Sequence, residues 1–300
     1  MNDTMFDAPL FEQWLTFIDR SVFSQSMAAT LSVFFIFIVY DVLRQGWKAS
    51  ITGRWISSSL GSIGILCSNL IFAPIAFFAV GALGDLYTSL GIPHLPNSLW
   101  EPLPFWLAGI IAIIAHDFVD YWNHRAMHKA WIWPIHAIHH SDEEVNALTM
   151  FRVHFLEYVF MQGSYIILLS WAGFSAEAAA FGVVLRTLHN SYVHANLDWD
   201  HGPFKLLIAS PRFHRWHHAN EPEAFGKNLA NLIPLYDYMF GTYYDPGRAA
   251  QKMGADGVPH SNVIALVVYP FKSWAHGIGK VLRTGNKEQN SQQADIKLAE

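Results

Sequence analysis

Between His116 and Glu144 the chain reads HDFVDYWNHRAMHKAWIWPIHAIHHSDEE, and between Ser210 and His218 it reads SPRFHRWHH. Two copies of H-x-x-H-H (His136, His139, His140 and His214, His217, His218) and one H-x-x-x-H (His124, His128) bring together eight imidazoles. On a helix of 3.6 residues per turn, His124 and His128 stack one turn apart and share a stripe with Asp117 and Tyr121. His116 points about 100° away from that stripe, which suits packing or support of its neighbours. Each H-x-x-H-H run spans about 100° of helix face, so its three rings are expected to converge on one region. Protonated together, these rings would repel; neutral and unpaired, they would be costly to bury. Metal coordination removes both difficulties, because neutral imidazole ligates zinc, iron, copper and nickel. Eight nitrogens exceed the needs of one tetrahedral ion, so two metals are expected.

Other residues stand close to this chemistry. In LHNSYVHANL, His194 offers a ninth nitrogen. Asn190, four residues earlier, faces the same way and can bond a metal-bound water. His189 lies about 140° from His194 and becomes a ligand only if a π-bulge intervenes. In RVHFLE, Glu157 can take a ligand N–H and fix its tautomer, with His154 beside it. Equally, Arg152 and Glu157 can cap and anchor a helix at an interface. Asp117 is a further candidate ligand or supporting carboxylate. His94, His201, His260 and His276 stand alone and read as surface or packing groups.

The elements that must carry these rings are apolar. Hydrophobic residues make up 52% of the 300 and charged residues 14%, with 12 Trp, 22 Phe and 11 Tyr, a membrane composition. A net charge of −5 and no basic block give no sign of nucleic acid, and the single Cys67 excludes an intrachain disulfide or a Cys-rich metal site. Apolar runs at 27–43, 56–83, 104–122, 155–172 and 176–193 read as spanning or hairpin helices, with Pro74 set to kink or divide the second. The run 263–269 is too short to cross and is expected at the interface, followed from Thr284 by a disordered tail. Arg44, Lys48, Arg54, Arg125, Lys129 and Arg152 fall on one side, whereas the 84–101 loop has no Lys or Arg. The positive-inside rule then places the N-terminus outside and every histidine cluster in the cytoplasm. Arg186 interrupts the fifth run and is expected either to meet a lipid headgroup or to snorkel; Arg152 is a second candidate for substrate contact. The expected fold is an all-α integral membrane bundle of four to five spanning or hairpin helices under a cytoplasmic helical cap. Its parts are a non-cytoplasmic segment (1–26), transmembrane helices (27–114), a catalytic region (115–245) and an interfacial segment with its tail (246–300).

The pattern DFVDYWNHRAMH, WPIHAIHHS, RVHFLE, SYVHANL and SPRFHRWHH resembles the sterol desaturase / fatty acid hydroxylase superfamily, and HHSDEEVNALTMFR resembles its alkylglycerol monooxygenase and bacterial branches. The resemblance runs from about Ala115 to Asp245 and ends in DYMFGTYYD, similar to the family's D-x-x-F-G-T. It implies a membrane oxygenase with two iron ions that hydroxylates or desaturates a lipid using O₂. His124, His128, His136, His139, His140, His194, His214, His217 and His218 match the family's boxes. Some relatives carry a second histidine where this chain has Asn190, and Phe155 and Tyr236 replace a family proline and tryptophan. With no haem or flavin domain in the sequence, electrons are expected from an external NAD(P)H-linked carrier, a ferredoxin or a b-type cytochrome with its reductase. A bacterial inner membrane is the expected location. The rival readings are a zinc-dependent membrane hydrolase and a metal-binding or transport protein; a transporter would carry ligands at mid-membrane, not at its edge.

Overall fold

The apolar runs become long helices. The computed structural model describes residues 21–297; the expected non-cytoplasmic segment falls almost wholly outside them. In chain order they contain α1 (Ser21–Gln45), the short α2 (Trp47–Ser50), α3 (Gly53–Ser89), α4 (Phe105–Met127), α5 (Trp133–His140), α6 (Phe155–Ala172), α7 (Ala176–Val193), α8 (Pro211–His217), α9 (Leu235–Met239) and α10 (Val263–Lys297). Short 3₁₀ turns fill several connections, and a single bridge between Ala219 and Met253 is the nearest thing to a strand among the described residues.

Local chemistry sets the helix starts. Thr52 accepts from the Trp55 amide at α3, Ser175 from Ala178 at α7 and Ser210 from Phe213 at α8. Pro134 and Pro211 sit in the first turns of α5 and α8, where a missing N–H costs nothing. Pro74 does not divide α3, which continues through it for 37 residues. At 1.5 Å per residue that is about 55 Å, well beyond a ~30 Å hydrocarbon layer. The surplus is used at the N-terminal end, where Ser58, Ser59 and Ser62 are buried and the Ser58 hydroxyl donates to Asp142.

Among the described residues, α3 and α4 are long and apolar enough to cross a membrane. Their outer faces expose Ile71, Ile75, Phe78, Ile110 and Ile114, an apolar surface suited to lipid. α3 packs on α6, while α4 packs on α7. The second contact depends on small residues. A Cβ on Gly109 would meet the Ala178 carbonyl oxygen at 2.8 Å and the Phe181 ring at 2.8 Å, and Gly182 faces the Gly109 carbonyl.

The C-terminal run differs from its sequence reading. It opens α10, which is helical through Lys297 and so takes in the stretch from Thr284 expected to be disordered. Lys, Glu, Gln and Ala in that stretch are good helix formers. α10 is tied down at its start, where Leu266 is buried against Ile65 and Ile138.

Because α4 carries His124 into place, its seat against α7 bears on the histidine cluster directly. Gly109→Val should destabilise the protein by about 1–3 kcal/mol through overpacking, read as a lower thermal midpoint in detergent. An unchanged midpoint would mean that the two helices do not meet at this glycine.

Candidate metal centre

The nine sequence-selected histidines come together as two groups. His124, His128, His136, His140 and His217 each offer a nitrogen, all within 4.8 Å of one another, and His139, His194, His214 and His218 do the same. Each H-x-x-H-H run is therefore split, contrary to the expectation that its three rings converge. On α5, His136 and His140 lie one turn apart and serve the first group, while His139, about 100° round from His140, serves the second. α8 reverses the arrangement: His214 and His218 serve the second group and His217 the first. α4 supplies His124 and His128, and the end of α7 supplies His194.

Hydrogen bonds behind the rings decide which nitrogen faces inward. His124 Nδ1–H donates to the Leu229 carbonyl at 2.6 Å, His136 Nδ1–H to Glu157 Oε1 at 2.8 Å and His217 Nδ1–H to the Lys227 carbonyl at 2.9 Å. His194 Nδ1–H donates to the Asn190 carbonyl at 2.6 Å. A neutral imidazole protonated at Nδ1 presents a bare lone pair at Nε2. His124 Nε2 and His136 Nε2 stand 2.9 Å apart, with His140 Nε2 3.1 Å from the latter. In the second group His194 Nε2 is 2.9 Å from His214 Nε2 and 3.2 Å from His139 Nε2. Lone pairs aimed at each other repel unless a cation lies between them. Nε2 of His128 and of His217 is likewise buried without a partner. This donor set fits one metal ion in each group.

Burial, reinforced by neighbouring charges, holds His128, His136, His139, His140, His214, His217 and His218 well below the ordinary imidazole value. Burial also brings His194 down to about 4, against the opposing effect of its bond to Asn190. The rings thus stay neutral at physiological pH, the state that ligation requires.

The other candidates divide. Glu157 is the carboxylate behind His136. Asn190 contributes a backbone carbonyl to His194. His189 turns away, donating from Nε2 to the Ala209 carbonyl at 3.1 Å, in keeping with the regular helix of α7. His154 is engaged with the Val267 carbonyl and the Leu156 amide. Asp117 accepts from the amides of Leu232 and Ile233, both at 2.8 Å, so it holds a loop and lies outside both groups. Arg152 is fully buried, donating to Ser141 Oγ and to the carbonyls of Ser58 and His260, and it has no face for a lipid. Arg186 pairs with Asp120 at 2.6 Å, with a quarter of its side chain exposed. The ring of His116 packs edge-on against Tyr165.

One supporting residue escaped the sequence reading. Asp237 accepts from the amides of Leu229 and Ala230, each at 2.7 Å, and from the Thr242 hydroxyl at 2.6 Å. It thereby fixes the loop whose carbonyls receive His124 and His217. Asn228, in the same loop, takes a left-handed conformation and bonds the carbonyls of Phe213 and Tyr244. The signal was present in DYMFGT (237–242), whose spacing gives no hint that its aspartate caps backbone 8 residues earlier.

The chain is similar to known proteins across this region. The fatty acid hydroxylase family model matches residues 109–242. The Ornithine lipid hydroxylase OlsE of Rhizobium tropici is 26% identical over 59% of this chain and 54% of its own length. Alkylglycerol monooxygenases of Danio rerio and Xenopus tropicalis are 33% and 28% identical, over 50% and 72% of this chain and 33% and 46% of theirs. The chain thus spans about half or less of the length of these relatives. No solved structure matches. The matches bear out the resemblance to the sterol desaturase / fatty acid hydroxylase superfamily.

Two outcomes are expected. Asp237→Ala frees the loop behind His124 and His217, so metal affinity of the first group should fall about 10–100-fold. Metal analysis would then show roughly half the wild-type content; full content would remove Asp237 from the site's support. The second outcome concerns pH. The folded values lie below the unfolded value of 6.5, so below 6.5 the unfolded chain binds more protons than the folded one. Stability of the metal-free protein is retained above that pH and lost as pH falls from 6.5 toward 4, by up to about 1.4 kcal/mol per unit for each ring. Thermal midpoints measured from pH 7.5 downward should therefore decline steeply below 6.5, and a flat profile would mean that the rings are reached by water.

Proposed function

We propose, on the premise that residues 109–242 form a fatty acid hydroxylase region, that this protein is a membrane-bound, O₂-dependent lipid oxidoreductase with an iron ion in each histidine group. The observation that carries the proposal is the pair of buried groups whose lone pairs face one another, set at the end of apolar helices. Hydroxylation is favoured over desaturation, since the relatives named above are a hydroxylase and monooxygenases.

His124, His128, His136, His140 and His217 would hold one ion and His139, His194, His214 and His218 the other. Bound iron supplies O₂ activation and attack on an unreactive C–H bond, chemistry no side chain here can perform. Glu157 and the carbonyls of Lys227, Leu229 and Asn190 keep four rings in one tautomer and orientation. Close packing of the rings keeps bulk water out, with His124, His136, His139, His140, His194, His214, His217 and His218 all buried. The helices 27–114 provide the lipid-facing part, 115–245 the catalytic region and 246–300 an interfacial element. Basic residues on the histidine side favour a cytoplasmic centre, in a bacterial inner membrane, fed by a separate ferredoxin or b-type cytochrome. The substrate is a membrane lipid; alkylglycerols and ornithine lipids, in the relatives' names, are the first to test.

An all-imidazole donor set also suits zinc and hydrolysis. The two readings part in one experiment. Protein purified from its membranes should contain about two irons per chain, the number of histidine groups, and membranes of expressing cells should hold a lipid heavier by one oxygen only when O₂ is present. His139→Ala and His217→Ala, one from each group, should each abolish that product. Full product formation by an iron-free, zinc-loaded sample would overturn the proposal.

A further inference from the structure

On α4, His116, Asp120, His124 and His128 follow at four-residue steps, and only the last two belong to a histidine group. The first two begin a separate polar set on the membrane side. Asp120 Oδ2 accepts from Arg186 Nη2 of α7 at 2.6 Å and from Asn231 Nδ2 at 3.3 Å. His116 lies within electrostatic reach of both Arg186 and Asp120, and Glu157 of α6 within reach of Asp120. His116, Asp120 and Glu157 are 3%, 2% and 4% exposed. Yet five polar atoms of this set have no partner: His116 Nδ1, Asp120 Oδ1, Glu157 Oε2, Arg186 Nε and Asn231 Oδ1. Native proteins rarely leave one such atom buried and unpaired, and a cluster of them marks the place of a missing ligand.

The chemistry of the open atoms selects the ligand. Asp120 Oδ1, Glu157 Oε2 and Asn231 Oδ1 are acceptors; Arg186 Nε–H is a donor, and His116 Nδ1 serves either way. A carboxylate or phosphate brings acceptors and further negative charge beside Asp120 and Glu157, of which Asp120 is paired with the Arg186 guanidinium and Glu157 with His136. A hydroxyl or an amine brings the N–H or O–H donors that the three oxygens lack. We propose that His116, Asp120, Glu157, Arg186 and Asn231 form a polar subsite that receives a hydroxyl or amine of the lipid substrate. This rests on the reading of the protein as a lipid oxidoreductase. It places the lipid's polar end about one helical turn, ~6 Å along α4, from His124.

The test reads binding, independently of turnover. Full-length protein in detergent micelles is titrated with a long-chain alcohol, a long-chain amine and a carboxylic acid of equal chain length, with occupancy followed by native mass spectrometry. The alcohol or the amine, whichever the subsite takes, should bind about tenfold more tightly than the acid, the value of one well-made buried hydrogen bond. Asn231→Leu should remove most of that preference while leaving acid binding unchanged. Should that variant fail to fold, the ranking of the three probes on the unaltered chain decides by itself. Equal affinity for alcohol, amine and acid, or a preference that survives Asn231→Leu, overturns the subsite. A clear preference in a protein that proves to oxidise nothing would leave the subsite standing and remove only the oxygenase reading.

Discussion

Nine imidazoles are confined in one small volume, each offering a nitrogen to the others of its group, and much of the surrounding structure is arranged to make that tolerable. A group of rings in water would spread apart or take up protons. Here the rings are held neutral by burial and held in place by bonds from behind: Glu157 for His136, and main-chain carbonyls at 190, 227 and 229 for His194, His217 and His124. A cation between the nitrogens would remove this electrostatic cost. The two groups are accordingly places fitted to hold metal ions.

The remaining architecture is the support for that requirement. Asp237 and Asp117 each clamp a pair of adjacent amides in the 229–233 segment, so two carboxylates fix the loop that closes over α4. Arg152, buried without access to solvent, joins the end of α5 to α3 and to the start of the C-terminal region through three carbonyl or hydroxyl acceptors. α3 is long enough to serve both the membrane and the helices around the centre, and its buried serines mark where one environment gives way to the other. Several charged side chains inside this protein are thus spent on holding backbone, while Arg152 with Asp142 and Arg186 with Asp120 also form ion pairs.

Much of this was legible in the sequence. The ligand candidates follow from spacing alone, because H-x-x-x-H and H-x-x-H-H put rings on narrow helix faces, and the apolar runs coincide with helices. The role of Glu157 was legible too, from a carboxylate placed just after the second box. What spacing does not carry is the partition of rings between groups: it reports the angle between His139 and His140, and not which neighbour each will find. Asp237, Asp117 and Arg152 were hidden for a related reason. Each acts on backbone, Asp117 and Arg152 on groups far away in the chain, and a backbone amide or carbonyl has no letter in the sequence. For Arg186 a basic residue in an apolar run suggests the lipid surface, and its pairing with the carboxylate of Asp120, on another helix, has no trace in the spacing.

The exchange of single rings between α5 and α8 has a consequence for how the molecule is made. Neither group is complete before His217 and His218 have been synthesised. The first two boxes by themselves supply four of the five nitrogens of the first group and only His139 of the second. Both groups are complete only after the two halves of the region have docked, so the second group in particular would gain its full set of nitrogens at the end of assembly.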